Sequence, residues 1–168
     1  MRKEPAKGPA GWRALVVWGL QFERSRWLYQ VLRDEVRGLT PEQLDFVPAP
    51  ETNSVATLVV HTLGSQAGYW SLVAHTPLDR DRAAEFATKG MSAKELIARI
   101  DDADRALGDL AAKIDHATLM AEHERAGQSR VGAYWLINSF GHARKHLGHL
   151  QLTKQLFPEH YSPPARPA

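Results

Sequence analysis

Apolar residues return every third or fourth position along most of the chain, a helical period. Over residues 12–37, Leu15, Trp18, Phe22, Tyr29, Leu32 and Val36 fall along one broad face, and Gly38 stands just past the end as a stop. Thr40, with Pro41 and Gln43 behind it, caps a short turn that Pro48 and Pro50 close. A second helix is predicted from Asn53 or Ser54 to His75, with Asn53 as its cap candidate and Pro77 ending it. Its stripe holds Leu58, His61, Ser65 and Leu72, and Gly64 and Gly68 allow a neighbouring helix to come close. Residues 76–91 form a connection too long for a tight hairpin. Ser92 and Glu95 make a capping box for a third helix, whose row is Leu96, Ile100, Ala103, Leu107, Leu110 and Ile114. Residues 115–128 read as a loop. Ser129 is expected to cap a last helix that runs to about Phe157, before Pro158.

Four amphipathic helices, with no repeat and no strand longer than a few residues, predict an all-α four-helix bundle. The expected organisation is a loose arm over 1–10, the bundle over 11–158, and a loose proline-rich tail over 159–168. A length of 168 residues suits one domain.

Composition removes several classes. There is no cysteine, which excludes disulfides, thiolate ligands and a cysteine nucleophile, and fits a cytoplasmic setting. No apolar run is long enough for a membrane helix, and Pro5, Gly8 and Pro9 interrupt the basic start, so no signal peptide is read. The 21 basic and 19 acidic residues are mixed along the chain, so no basic block marks a nucleic-acid surface.

Chemistry concentrates in the histidines. His142, His146 and His149 stand in GHARKHLGH at steps of four and three, which stack on one helix face. His142 and His146 can therefore offer nitrogens to one metal ion, and a solvated polar face explains the same spacing. The row lies about 120° from the main apolar row of Leu136, Phe140, Leu147 and Leu150. Val131, Trp135 and Leu156 nevertheless share its side. His61 sits in the apolar segment ATLVVHTLGS, where a hydrogen-bonded core histidine is the ordinary reading. His75 is about 21 Å along the helix from His61, so the two cannot share a metal. His75, His116, His123 and His160 are read as structural. Ala143 follows His142 where a zinc-protease helix has its glutamate, and no GxSxG, P-loop or Rossmann pattern occurs.

RGLTPEQLDFVPAPETNSVATLVVH, the pair Tyr69–Trp70 and the late GHARKHLGHLQLTKQLF together resemble the DinB/YfiT-like metalloenzyme family. The resemblance implies an up-down-down-up bundle and a three-histidine metal site. His61, His142 and His146 match the ligand positions, and Gly148 the family glycine. His149 stands where the family often has glutamine, which makes it a pocket residue or a fourth contact. Asn138 and Trp135 are the other pocket candidates on that face. The implied cofactor is one divalent metal, zinc, nickel or iron. The implied chemistry is thiol-dependent S-transfer or isomerisation with a low-molecular-weight thiol. A metal-dependent hydrolase and a non-catalytic metal or small-ligand binding protein are the alternatives. A homodimer is expected, since family members often pair through helices and Trp12, Trp18 and Trp27 crowd the first one. No nucleic-acid or membrane partner is expected.

Overall fold

A computed structural model describes residues 12–160, with side chains from Leu15 onward. The predicted arm, most of the tail and the side chain of Trp12 lie outside the described residues.

Four long helices carry the fold: α1 (Trp12–Val36), α3 (Val55–Val73), α5 (Ala93–Ala111) and α7 (Gly132–Gln155). Between them lie short α2 (Pro41–Asp45), α4 (Arg82–Phe86) and α6 (His116–Met120), and a hairpin of β1 (Glu122–Arg125) and β2 (Gln128–Val131). Among the described residues the fold is all-α apart from that ribbon. The capping boxes predicted at Thr40/Gln43 and Ser92/Glu95 are both formed. The expected cap of α3, Asn53, is not the one used: the Ser54 hydroxyl accepts from the Thr57 amide.

The long helices pack as a square in which α1 and α3 each touch α5 and α7. Arg24 meets Phe140, Trp27 meets Arg144 and Glu35 meets Lys154, so α1 and α7 run the same way. Tyr69 faces Trp135 while His61 faces His146, so α3 opposes α7. Arg33 reaches Asp101 and Asp104, while Arg26, earlier in α1, reaches only Asp104; α5 thus opposes α1. Leu28, Leu32 and Val36 of α1 meet Val55, Val59 and Trp70 of α3, Leu96 and Ile100 of α5, and Leu136, Leu147 and Leu150 of α7 in one core. Fourteen of the nineteen α3 residues are buried, which makes α3 the most enclosed helix and the natural place for a shielded histidine.

Three predicted boundaries are corrected. The second long helix stops at Val73, short of His75. His75 takes a left-handed φ of 49°, its amide bonds to Leu72 O, and the Thr76 amide bonds to Ser71 O. This Schellman closure, rather than Pro77, ends the helix. The row of the third helix included Ile114, but α5 ends at Ala111 and Ile114 packs into the core from the turn beyond. The fourth helix starts at Gly132; Ser129 lies in β2 and caps nothing. Gly132 is required there, because a Cβ would lie 2.7 Å from Thr118 O and 2.9 Å from Val73 Cγ1.

The two predicted loops are also partly built. Residues 115–128 hold α6, capped by a box between Asp115 and Thr118, and most of the hairpin. Ala126 and Gly127 both have positive φ, 51° and 74°, the requirement of a two-residue type I′ turn. Residues 76–91 hold α4, capped by Asp81. That short helix completes the site.

Candidate metal centre

His61 projects from the middle of α3, and His142 and His146 from adjacent turns of α7. One nitrogen from each lies within 4.8 Å of the other two. His61 is 5% exposed, and the α7 pair is half-buried. The three rings meet edge to face: centroids are 4.9 Å apart for His61 and His146, 5.6 Å for His61 and His142, and 4.5 Å for the α7 pair.

Local chemistry sets the orientation of His61. Its Nδ1 lies 2.9 Å from Glu85 Oε2, and Glu85 is itself 7% exposed. Arg80 grips the same carboxylate from Nε to Oε1 at 2.6 Å and from Nη2 to Oε2 at 2.7 Å. Burial pushes the Glu85 carboxyl up, but the hydrogen bonds from Arg80 and His61 outweigh it and hold the group below the usual carboxylate range. An ionised carboxylate only accepts, so His61 Nδ1 carries a proton and Nε2 is the nitrogen left to act as a ligand. Arg80 Nη2 also lies 3.5 Å from His61 Nδ1; both are donors, so this is a contact rather than a hydrogen bond.

Gly64 makes the arrangement sterically possible. A Cβ there would sit 2.0 Å from Glu85 Oε1 and 2.8 Å from Glu85 Cδ. The close approach expected at Gly64 is thus real, but the group that comes close is a carboxylate from α4 instead of a packed helix.

His142 Nε2 and His146 Nε2 are 3.1 Å apart, and the buried His146 Nδ1 has no partner among the described residues. Burial, followed by the neighbouring His142 and His61, holds the His146 imidazole down to about 4. Burial lowers His142 too, with His61, Lys145, Arg80 and Arg125 adding to the effect. Neutral imidazoles are the form that binds metal. Two such nitrogens about 3 Å apart suit a shared ion at roughly 2.0–2.1 Å from each. A carboxylate behind a ligating histidine is the usual support in such sites. The donor set therefore fits a metal ion, and the triad could hold one.

The remaining predicted residues lie around this cluster. His149 is exposed, its ring 5.6 Å from that of His146, and its nitrogens fall outside the converging set. It lines a separate cleft of about 260 Å³ with Pro48, Asn53, Leu58 and Leu156. Asn138 Nδ2 donates to Tyr69 Oη at 3.1 Å, and the Tyr69 ring is 6.5 Å from that of His142. Trp135 is buried; its indole N–H donates to His123 O at 2.9 Å, and its ring lies against Tyr69, one residue removed from His142. His123 is buried in β1, with Nε2 2.8 Å from Thr118 O. His75 packs against it, so both are accounted for structurally. Arg80, Glu85 and Phe86 escaped the sequence reading. The Phe86 ring lies 4.6 Å from that of His61. The available signal was Asp81, a good cap, opening a turn that ends on Phe86.

A family model for the DinB superfamily matches residues 21–150. The chain belongs to the DinB superfamily. Two solved structures share the fold. A conserved protein from Enterococcus faecalis is 16% identical with a TM-score of 0.67, over 82% of this chain and 95% of its own. A DinB-like protein from Bacillus subtilis, YjoA, is 17% identical with a TM-score of 0.63, over 88% of this chain and 94% of its own. No curated protein sequence matches the chain. Among the described residues of this DinB-superfamily protein, no helix is long and apolar enough to cross a membrane.

Proposed function

We propose that this DinB-superfamily protein is a metal-dependent enzyme in which His61, His142 and His146 hold one divalent ion of the zinc, nickel or iron type. The convergence of three imidazoles on one point, with Glu85 behind His61, carries the reading. Three protein ligands leave coordination positions open, as catalytic rather than closed structural sites do. When bound, the ion would supply a Lewis acid that lowers the pKa of a thiol and holds it as thiolate near neutral pH.

The reaction class we favour is thiol-dependent transfer or isomerisation. The chain has no cysteine, so sulfur has to arrive on a small-molecule cosubstrate. Glu85, whose oxygens are occupied by Arg80 and His61, is held ionised and is not free to take a proton from water. That arrangement favours a nucleophile with its own ionisable group over hydrolysis. Glu85 orients His61 and Arg80 keeps Glu85 charged, while the Tyr69–Asn138 pair borders His142.

The test is a screen of low-molecular-weight thiols against simple electrophiles, with and without added metal, on wild type and His146→Ala. Metal-dependent turnover lost in the variant supports an enzyme. Stoichiometric metal binding with no turnover supports a non-catalytic binding protein.

A further inference from the structure

Beside the triad, two guanidinium groups converge on a residue with no side chain. Gly68 follows His61 and Gly64 on one face of α3, seven residues and about 10 Å along the helix from His61. A Cβ on Gly68 would lie 3.4 Å from Arg125 Nη1, 3.7 Å from Arg125 Nη2 and 3.7 Å from Arg80 Nη1. Two cations thus converge on the bare face of one glycine.

They differ in how far they are neutralised. Arg80 spends Nε and Nη2 on Glu85, which leaves Nη1 directed at the cradle. Arg125 is half-buried at the end of β1, with Cζ 4.2 Å from the Tyr69 ring centroid. Among the described residues its guanidinium has no hydrogen-bond acceptor and no carboxylate partner. Stacking on tyrosine fixes the plane of a guanidinium but leaves its N–H groups free. Glu85 neutralises Arg80 while, among the described residues, no carboxylate pairs with Arg125, and the surplus positive charge sits where a bidentate oxyanion would bind. Tyr69 joins this cradle to the triad, since its ring also borders His142.

We infer that Gly68, Arg80 and Arg125 form an oxyanion subsite that selects substrates or cosubstrates bearing a carboxylate or phosphate remote from the reacting end. The inference deepens the proposed function by naming a substrate class for the same site, yet the binding itself needs no metal. Arg125 is a specificity residue here, and Arg80 serves both Glu85 and the anion.

The test uses metal-free full-length protein. Inorganic phosphate, succinate and neutral succinamide are titrated while the Gly68 amide and Arg125 Nε signals are followed by NMR. Saturable shifts are expected with phosphate or succinate and not with succinamide, and which of the two anions binds more tightly assigns the group. Arg125→Gln should weaken binding about tenfold or more, the loss of a charge-assisted contact. Gly68→Ala fills the cradle with a methyl group in ordinary contact and improves helix propensity, so it should fold at least as well while binding the anion more weakly. Absence of saturable shifts, equal response to succinamide, or affinity unchanged in both variants would overturn the inference. Because the readout is independent of metal and turnover, failure of the metal reading leaves this result interpretable.

Discussion

Replacing Gly64 by alanine should damage the metal centre without touching a histidine. On an exposed helix this change stabilises by about 1 kcal/mol. Here the new Cβ would meet Glu85 Oε1 at 2.0 Å, whereas ordinary contact begins near 3.4 Å. The carboxylate has to retreat by more than 1 Å. Its 2.9 Å bond to His61 Nδ1 is then lost, and the two-point grip of Arg80 is disturbed. Loss of a supporting carboxylate of this kind costs about 10–100-fold in metal affinity, or roughly 1.4–2.8 kcal/mol. The assay is competition for zinc against a chromophoric chelator, run beside a thermal melt. Gly108→Ala on α5 is the control, since nothing lies within 4 Å of its Cβ position. The control should gain stability and keep wild-type affinity. Gly64→Ala binding zinc as tightly as the control would refute the role given to Glu85.

Four other outcomes follow from the same contacts. Glu85→Gln, which keeps shape but removes charge, should weaken zinc binding about tenfold in that competition assay. Gly132→Ala should destabilise by about 1–3 kcal/mol in urea unfolding, because Thr118 O and Val73 Cγ1 occupy the space. The imidazole of His146 is held from 6.5 down to about 4, so its neutral burial contributes stability above pH 6.5 that is lost as pH falls toward 4. Melts of chelator-treated protein across that window should show a decline that His146→Leu flattens. Glu85, lowered from 4.5, adds a further loss in the same direction at lower pH. Finally, α1 exposes Leu15, Val16, Leu20 and Trp27, and we propose that it mediates a homodimer. Light scattering showing only monomer at high micromolar concentration would refute that.

The long helices were legible because each carries a stripe the core needs, and the cap at Ser92 follows from side-chain chemistry alone, whereas Ser54 caps α3 in place of the equally suitable Asn53. The histidine set was legible by different routes. Spacing places His142 and His146 together, and the apolar segment around His61 sets it apart from the other histidines, but only the family resemblance made it a ligand rather than a hydrogen-bonded core histidine. Arg80 and Glu85 were not legible, because a five-residue helix has no periodicity to detect. Their burial comes from salt-bridging each other beneath His61, a tertiary effect. Gly64 held a clue, since a glycine three residues from a buried histidine marks an approach, but its sequence does not say by what. The hairpin was hidden for a related reason: Ala126–Gly127 lacks the asparagine or aspartate that usually announces a type I′ turn. His149 shares the spacing of the triad, yet one further turn along α7 carries it out to solvent beside another cleft.

Metal stoichiometry tests the central claim most directly. Elemental analysis of protein purified without added metal, on wild type, His61→Ala and His146→Ala, should give about one divalent ion per wild-type chain. Each variant should fall well below that while its helical circular dichroism stays intact. Equal metal content in all three proteins, or none in wild type even after incubation with zinc, nickel and iron, would contradict the account.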